Sequence, residues 1–346
     1  METVWFVIVA VMIAAYVVLD GFDLGAGIIY LLVGKTNEDR REVLRSIGPV
    51  WDGNEVWLLA AGGTLYFAYP QPYAAAFSGF YLPLLMVLWL LMLRGIGIEL
   101  RTHVEEPGLA RLIRRGVLRF ERPARDFLWS GPGQCDSRSA AGCGSLLFRA
   151  AVDRLSTGTA SRDVDWYTVM TGVVALITLT VPGALYVSLK TDGEHGQRAG
   201  KTALIVWPAQ MALTLISLIA TWFVKPSIKQ NYLAYPIGFL IPIVVFGSLL
   251  LMSSWTRKGK ELHPFLASCI YITGMLVGAV PALYPVVLPA SSDPSNSLTI
   301  YNAAAGHHGL IVGLVWWALG MILSVGYFVF IYRMFRGKVQ LEGGGY

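Results

Sequence analysis

The stretch SIGPVWDGNEVWLLAAGGTLYFAYP, residues 46–70, decides how the chain folds. Most of it is apolar enough to cross a bilayer, yet Asp52, Asn54 and Glu55 stand near its start. A charged side chain in a membrane helix costs about 2.5–3.5 kcal/mol on the gentler insertion scales, so such residues mark function or tight pairing. The same pattern recurs on both sides. Upstream, LDGFDLGAG (19–27) carries Asp20 and Asp23 inside an apolar run, and downstream an apolar run ends in Arg94, Glu99 and Arg101.

The surrounding composition fixes the class. Of 346 residues, 55% are hydrophobic and only 14% charged, against about 25% charged in a soluble domain. The reading is an all-α polytopic membrane protein. Its net charge of +5 comes from Lys and Arg clustered between apolar runs, the mark of basic cytoplasmic loops and not of a nucleic-acid surface. Cys135, Cys143 and Cys269 have neither metal-site nor haem-attachment spacing. The start, METVWFVIVA, lacks a basic leader region and continues into the next apolar stretch, so a retained first helix is expected.

Spanning the hydrocarbon core takes about 20 apolar residues. Eight segments qualify: 4–33, 49–69, 73–98, 166–189, 203–224, 233–255, 264–288 and 309–332. Residues 99–165 differ, with LWSGPGQCDSRSAAGCGSLLFRAAVDRLSTGTASRDVD rich in Gly, Ser and Arg. The chain therefore divides into 1–115 with three helices, an aberrant polar segment at 116–163, and 164–346 with the remaining helices. The positive-inside rule tests the count. With the N-terminus outside, loop 34–48 places Lys35, Arg40, Arg41 and Arg45 in the cytoplasm. One crossing between 99 and 165 then puts Lys190, Arg198, Lys201, Arg257, Lys258, Lys260, Arg333, Arg336 and Lys338 inside, and Lys225 and Lys229 outside. Without that crossing the asymmetry inverts. Nine crossings are expected, although eight are visible. A local frameshift would leave such a composition at 116–163; so would a polar insertion with an amphipathic surface helix.

In this topology Asp20 lies about 24 Å along the first helix, and Asp20, Asp23, Asp52, Glu55 and Glu99 share one depth near the cytoplasm. The pairs Asp20/Asp23 and Asp52/Glu55 have i, i+3 spacing and so a common face. Arg94 and Arg101 are close by, Asn54, Trp51 and Trp57 are supporting residues, and Gly21, Gly25 and Gly27 permit close helix approach. Two readings stay open: carboxyls that exchange protons with the cytoplasm, or Asp–Arg pairing that locks helices together. No βαβ context surrounds DGFDLGAG, so it is not a phosphate loop. The histidines, His103, His195, His263, His307 and His308, lie in loops or at helix ends, so no haem iron or other metal is expected on this chain. Trp316 and Trp317 read as packing or belt residues, and SSDPSNSLTIYNAAAG as part of an ordered outer cap or a partner contact.

The stretches LDGFDLGAG, IGPVWDGNEVWLLAAGGTLYFAYP (47–70), YAAAFSGFYLPLLMVLWLLMLRGIGIELR (73–101), DWYTVMTGVV (165–174), GALYVSLKT (183–191) and ALYPVVLPASSDPSNSLTIYNAAAG (282–306) resemble subunit II of the cytochrome bd-type quinol oxidases, including their cyanide-insensitive relatives. The resemblance implies nine transmembrane helices, as two four-helix bundles plus a peripheral helix. Residues 116–163 depart from the pattern at the place of the fourth. It implies a multi-pass protein of the bacterial inner membrane with a periplasmic N-terminus and a cytoplasmic C-terminus. Its partner is subunit I, which carries haem b and haem d and the quinol site, alongside small accessory subunits in some complexes and membrane lipids. It implies no cofactor on this chain beyond a structurally held quinone or lipid. Asp52 matches the acid linked with proton delivery, and Asp23 and Glu99 neighbouring positions of that route. Asp20, Glu55, Arg94 and Arg101 join on depth and spacing. The competing readings are a proton-coupled secondary transporter, which needs broken helices meeting at mid-membrane, and a purely structural membrane partner.

Overall fold

The computed structural model describes residues 1–103, 166–224, 226–288 and 296–339. The described chain is helical apart from one small hairpin. In chain order the helices are α1 (Glu2–Val33), α2 (Asn37–Ile47), α3 (Trp51–Ala68), α4 (Pro70–Gly79), α5 (Tyr81–His103), α6 (Trp166–Lys190), α7 (Gly193–Val224), α8 (Pro226–Ala234), α9 (Leu240–Arg257), α10 (Leu262–Leu283) and α11 (His307–Met334). Strands β1 (Val286–Leu288) and β2 (Leu298–Thr299) pair antiparallel before α11.

Seven of these helices are long and apolar enough to cross a membrane. The eighth expected crossing, at 49–69, is the 18-residue α3. Its polar first turn keeps it below that standard, which is the price of Asp52, Asn54 and Glu55. The helix expected at 203–224 begins at Gly193, and three other expected segments change at a proline. The run 73–98 is not one helix but breaks at Phe80 between α4 and α5, because Pro83 has no N–H to donate to the Gly79 carbonyl. The run 233–255 starts helically only at Leu240, after a 3-10 turn at Pro236–Phe239, and Pro242 falls in its first turn, where a missing N–H costs little. The run 264–288 leaves its helix at Leu283, before Pro285, and enters β1. Pro182, Pro208 and Pro281 lie inside α6, α7 and α10.

α2 is an amphipathic connector whose start is fixed by a capping box between Thr36 and Asp39. Contacts near its level define one end of the molecule. Arg198 Nη1 donates to the Val33 carbonyl (2.9 Å), Lys190 Nζ to the Phe335 carbonyl (2.6 Å), and Lys338 Nζ to Glu261 Oε1 (2.8 Å). The ends of α1, α6 and α11 thus meet the starts of α7 and α10. All the basic residues that the charge count assigned inside belong to these ends and loops. α5 points the same way, with Val87 in the core cluster of Trp5 and Ile98 in that of Ile47. α5 and α6 therefore run parallel, as the charge count requires. The aberrant segment 116–163 and the fourth helix lie outside the described residues.

α1 is the central element and packs on α3, α6 and α10. Its closest neighbour is α6. A Cβ at Gly25 would strike the backbone of Leu179 and Gly183, and one at Gly183 would strike that of Gly25 and Ala26. Gly25 and Gly183 thus let two helix backbones touch, the small-residue crossing of membrane bundles. Gly21 meets only the Leu179 side chain and Gly27 meets nothing, so of the three expected glycines Gly25 sets the crossing. α6, α7, α9 and α10 close a four-helix group through the α6–α7, α7–α9, α9–α10 and α10–α6 contacts. α11 is peripheral: Leu310 alone is buried along it.

Candidate carboxylate site

The acids of α1 are the most enclosed. Asp20 is 0% exposed and Asp23 1%. They point from α1 toward α3, α5 and α11, because Phe22 and Gly25 commit the opposite side of the helix to α6. Arg94 of α5 grips Asp20 with both guanidinium nitrogens, Nη2 to Oδ1 at 2.5 Å and Nη1 to Oδ2 at 3.0 Å. This two-pronged geometry is the strong form of the carboxylate–guanidinium contact. The Arg94 guanidinium carbon also lies 5.9 Å from the centre of the Trp51 ring, within cation–π range.

Asp23 is held differently. Its Oδ2 accepts from Asn54 Nδ2 at 2.7 Å, while its Oδ1 has no hydrogen-bond partner among the described residues. Asn54, itself 0% exposed, also donates to the Leu19 carbonyl (3.1 Å) and accepts at Oδ1 from the Tyr332 hydroxyl (2.9 Å). Asn54 thus ties α1, α3 and α11 at one point. Tyr332 is the member that sequence reasoning missed; the only signal was a tyrosine near the C-terminal end of the last apolar run. Trp57 takes the supporting place expected of it, packing edge-on against Phe328 of α11 at 5.5 Å.

The remaining expected acids are less enclosed, although Glu55 lies within charge range of Arg94 and Asp20. Asp52 is exposed, and Glu55 and Glu99 are half-buried. Asp52 occupies the outward face of α3 together with Val56, Leu59, Gly63 and Tyr66, one stripe at helical spacing. The expectation of five acids in one group therefore divides: Asp20 and Asp23 are inside, Glu55 and Glu99 are half-buried, and Asp52 is exposed among the described residues. The side chain of Arg101 lies outside the described residues.

A second charged group caps the end of the bundle. Arg198 Nη2 lies 3.2 Å from Asp39 Oδ2, and His195 stands between Asp39 (3.8 Å) and Glu42. Burial pushes the Asp39 carboxyl up, but hydrogen bonds from the Thr36 side chain and backbone and from the Lys35 backbone, with the Arg198 charge, hold it below its ordinary value. Beyond α11, Lys338 pairs with Asp192 (2.9 Å) and Glu261 (2.8 Å), and hydrogen bonds to Glu261 and Asp192 raise its ammonium above the ordinary value.

Among the described residues no group of three or more His, Cys, Asp or Glu side chains is placed to hold a metal ion. His195 is engaged by Asp39 and Glu42, His263 is exposed and packs on the Trp255 ring, and His307 and His308 are exposed at the start of α11.

A family model, cytochrome bd terminal oxidase subunit II, matches residues 1–118 and 140–335. The chain belongs to this family. Residues 119–139, within the segment 116–163, lie outside the match. Among similar proteins, the cytochrome bd-I ubiquinol oxidase subunit 2 of Escherichia coli (strain K12) is 28% identical over 98% of this chain and 95% of its own length. The cytochrome bd ubiquinol oxidase subunit 2 of Bacillus subtilis (strain 168) is 27% identical over 98% and 97%. The probable cytochrome oxidase subunit 2 of Haemophilus influenzae (strain Rd) is 26% identical over 97% and 94%. This family member is a multi-pass membrane protein.

Proposed function

We propose that this chain is the haem-free subunit II of a bd-type quinol oxidase and supplies its partner with protons from the cytoplasm. On this reading it is one component of a quinol:oxygen oxidoreductase in the bacterial inner membrane. Its N-terminus is periplasmic, and the basic end of the bundle faces the cytoplasm. Subunit I holds haem b and haem d, oxidises quinol and reduces oxygen to water. The family implies those haems; the histidines placed on this chain do not suit them, and no step here passes through them.

The observation that carries the reading is Asp23. It is a fully enclosed carboxyl with one oxygen held by Asn54 and the other without a partner among the described residues. A carboxyl kept only for packing would have both oxygens satisfied, as Asp20 does. Asp20 and Asp23 share one buried guanidinium, with half-buried Glu55 also in its field, so carboxyls outnumber the positive charge. That arrangement suits a group that takes up and releases a proton. Arg94 fixes Asp20 and limits the negative charge that Asp23 meets. Asn54 and Tyr332 orient Asp23, and the amide cannot itself become charged.

Asp52 gives the direction of transfer. Its stripe on α3 is otherwise largely apolar and is exposed among the described residues, and hydrocarbon is a poor neighbour for a carboxylate. The stripe suits subunit I, with Asp52 as the hand-over point and Glu55 and Glu99 as neighbours between inside and surface. Asp52→Asn in the assembled oxidase should slow oxygen consumption several-fold with the partner's haem spectrum intact. Full turnover in an intact complex would remove the assignment. If Asp52→Asn instead lowers the yield of complex while turnover per complex holds, the acids are structural. Solute uptake by proteoliposomes of the isolated chain would favour a transporter.

A further inference from the structure

We propose that Gln210 organises an internal water site within the four-helix group of α6, α7, α9 and α10, away from the carboxylate cluster. Gln210 lies in the middle of α7 and is 1% exposed, and neither its Oε1 nor its Nε2 has a hydrogen-bond partner among the described residues. Buried amides without partners are rare, because the lost hydration is not replaced.

Gln210 is not an isolated polar residue in an apolar wall. Positions 210, 214, 217 and 221 recur at the spacing of one helix face, and they are Gln210, Thr214, Ser217 and Thr221. Thr214 Oγ1 donates to the Gln210 carbonyl (2.7 Å), Ser217 to the Thr214 carbonyl (2.9 Å) and Thr221 to the Ser217 carbonyl (2.6 Å). Tyrosines from two neighbouring helices close on this face. Tyr271 of α10 lies 2.7 Å from Thr214 Oγ1 and 3.3 Å from Thr178 of α6, and Tyr167 of α6 lies 2.6 Å from Thr221. Every hydroxyl in the seam is engaged; the open capacity is the Gln210 amide.

That capacity defines the ligand. The amide offers one acceptor and two donors, so its partner must both donate and accept. The seam carries no charged side chain, so the partner is neutral. The site sits where Tyr271 is fully buried, so the partner is small. Water meets all three conditions, and the Thr214 and Tyr271 oxygens on the same seam are the groups that would complete the two to four contacts an internal water requires. The register of α7 against α1 is set by Arg198 at the Val33 carbonyl. Gln210 lies about 18 Å beyond Arg198, and Asp23 about 15 Å back from Val33, at 1.5 Å per residue. The water site is therefore at nearly the depth of Asp23 but on the other side of the α1–α6 contact. It stands independently of any role for the acids.

Hydroxyl radicals formed from internal water oxidise the side chains beside it, which provides the test. The assembled oxidase is irradiated in water enriched in oxygen-18, and labelling is read at Tyr271, with exposed Tyr301 as reference. Labelled Tyr271 in the unaltered complex, lost in Gln210→Leu while Tyr301 is unchanged, is the expected result. An unlabelled Tyr271 in the unaltered complex overturns the site, as does labelling that Gln210→Leu leaves intact. Should that variant not assemble, the thermal midpoint of Gln210→Met decides. A dry site predicts a higher midpoint, because two unpartnered polar groups are removed, and a rise would overturn the proposal. A wet site predicts an equal or lower one.

Discussion

Two ion pairs in this molecule use the same chemistry in different surroundings. Asp20–Arg94 is enclosed at the centre of the N-terminal helices, with the carboxylate 0% and the guanidinium 15% exposed. Lys338 meets Asp192 and Glu261 at the end of the bundle, where the acids are 77% and 41% exposed. Water screens the second pair and would solvate either member if the other left. The first has no such refuge. The difference teaches that the buried pair is chiefly a constraint, since each member makes the other tolerable, whereas the surface pair adds a small and salt-dependent increment.

Breaking the buried pair from one side should have the largest effect. Arg94→Leu leaves Asp20 enclosed without a counter-charge and is expected to cost about 3–5 kcal/mol, seen as loss of assembled complex or a sharp fall in its thermal midpoint. Adding Asp20→Leu should recover much of that loss; if it does not, Arg94 serves more than Asp20. The helix crossing beneath the pair comes next. Gly183→Val forces a branched side chain against the backbone of α1 and should destabilise by about 1–3 kcal/mol or more, measured by the same midpoint, while the equivalent change at Gly27 should pass nearly unnoticed.

Asp23→Asn sharpens the contrast between constraint and chemistry. It keeps the shape and the Asn54 contact but removes the exchangeable proton, so oxygen consumption should fall several-fold with assembly little changed. An equal fall in assembly would make Asp23 another structural acid. Asp39 supplies a smaller, pH-dependent effect. Its carboxyl is held below its ordinary value of 3.8, so its contribution is complete above that value and fades as pH falls through the lowered one. Arg198→Ala should weaken this acid-side dependence in a pH series of thermal midpoints. Lys338→Ala is expected to have the least effect, about 1 kcal/mol or below, and to vanish in high salt. Because the ammonium is raised above its ordinary 10.5, that contribution is present below pH 10.5 and lost as pH climbs past it.

Much of the fold was legible along the chain. The apolar runs gave the crossing segments, and the Lys and Arg bias gave the common direction of α5 and α6. Both signals are local, one being length against bilayer thickness and the other charge beside a helix end. The helix breaks at Phe80 and Leu283 were legible too, in Pro83 and Pro285, but apolar content outweighed them in the reading. The site was legible in part. Spacing placed Asp20, Asp23 and Arg94 at one depth. It could not say that Asp52, an acid in the same run as Asn54, would face outward while Asn54 faced in, because depth and helix face are separate coordinates and the second depends on which neighbours a helix meets.

The amino-acid sequence by itself determined that this protein spans the membrane and that α5 and α6 run in the same direction, and it placed Asp20, Asp23 and Arg94 at one level, since hydropathy, charge bias and helix rise all act residue by residue. Only the tertiary structure decided that Arg94 would serve Asp20, that Asn54 would bridge Asp23 to Tyr332, and that Gln210 would be enclosed with its amide open. Those outcomes depend on the rotation of each helix about its axis. The Gly25–Gly183 contact fixes that rotation for α1 and α6, which are far apart in the chain and meet only when the bundle closes.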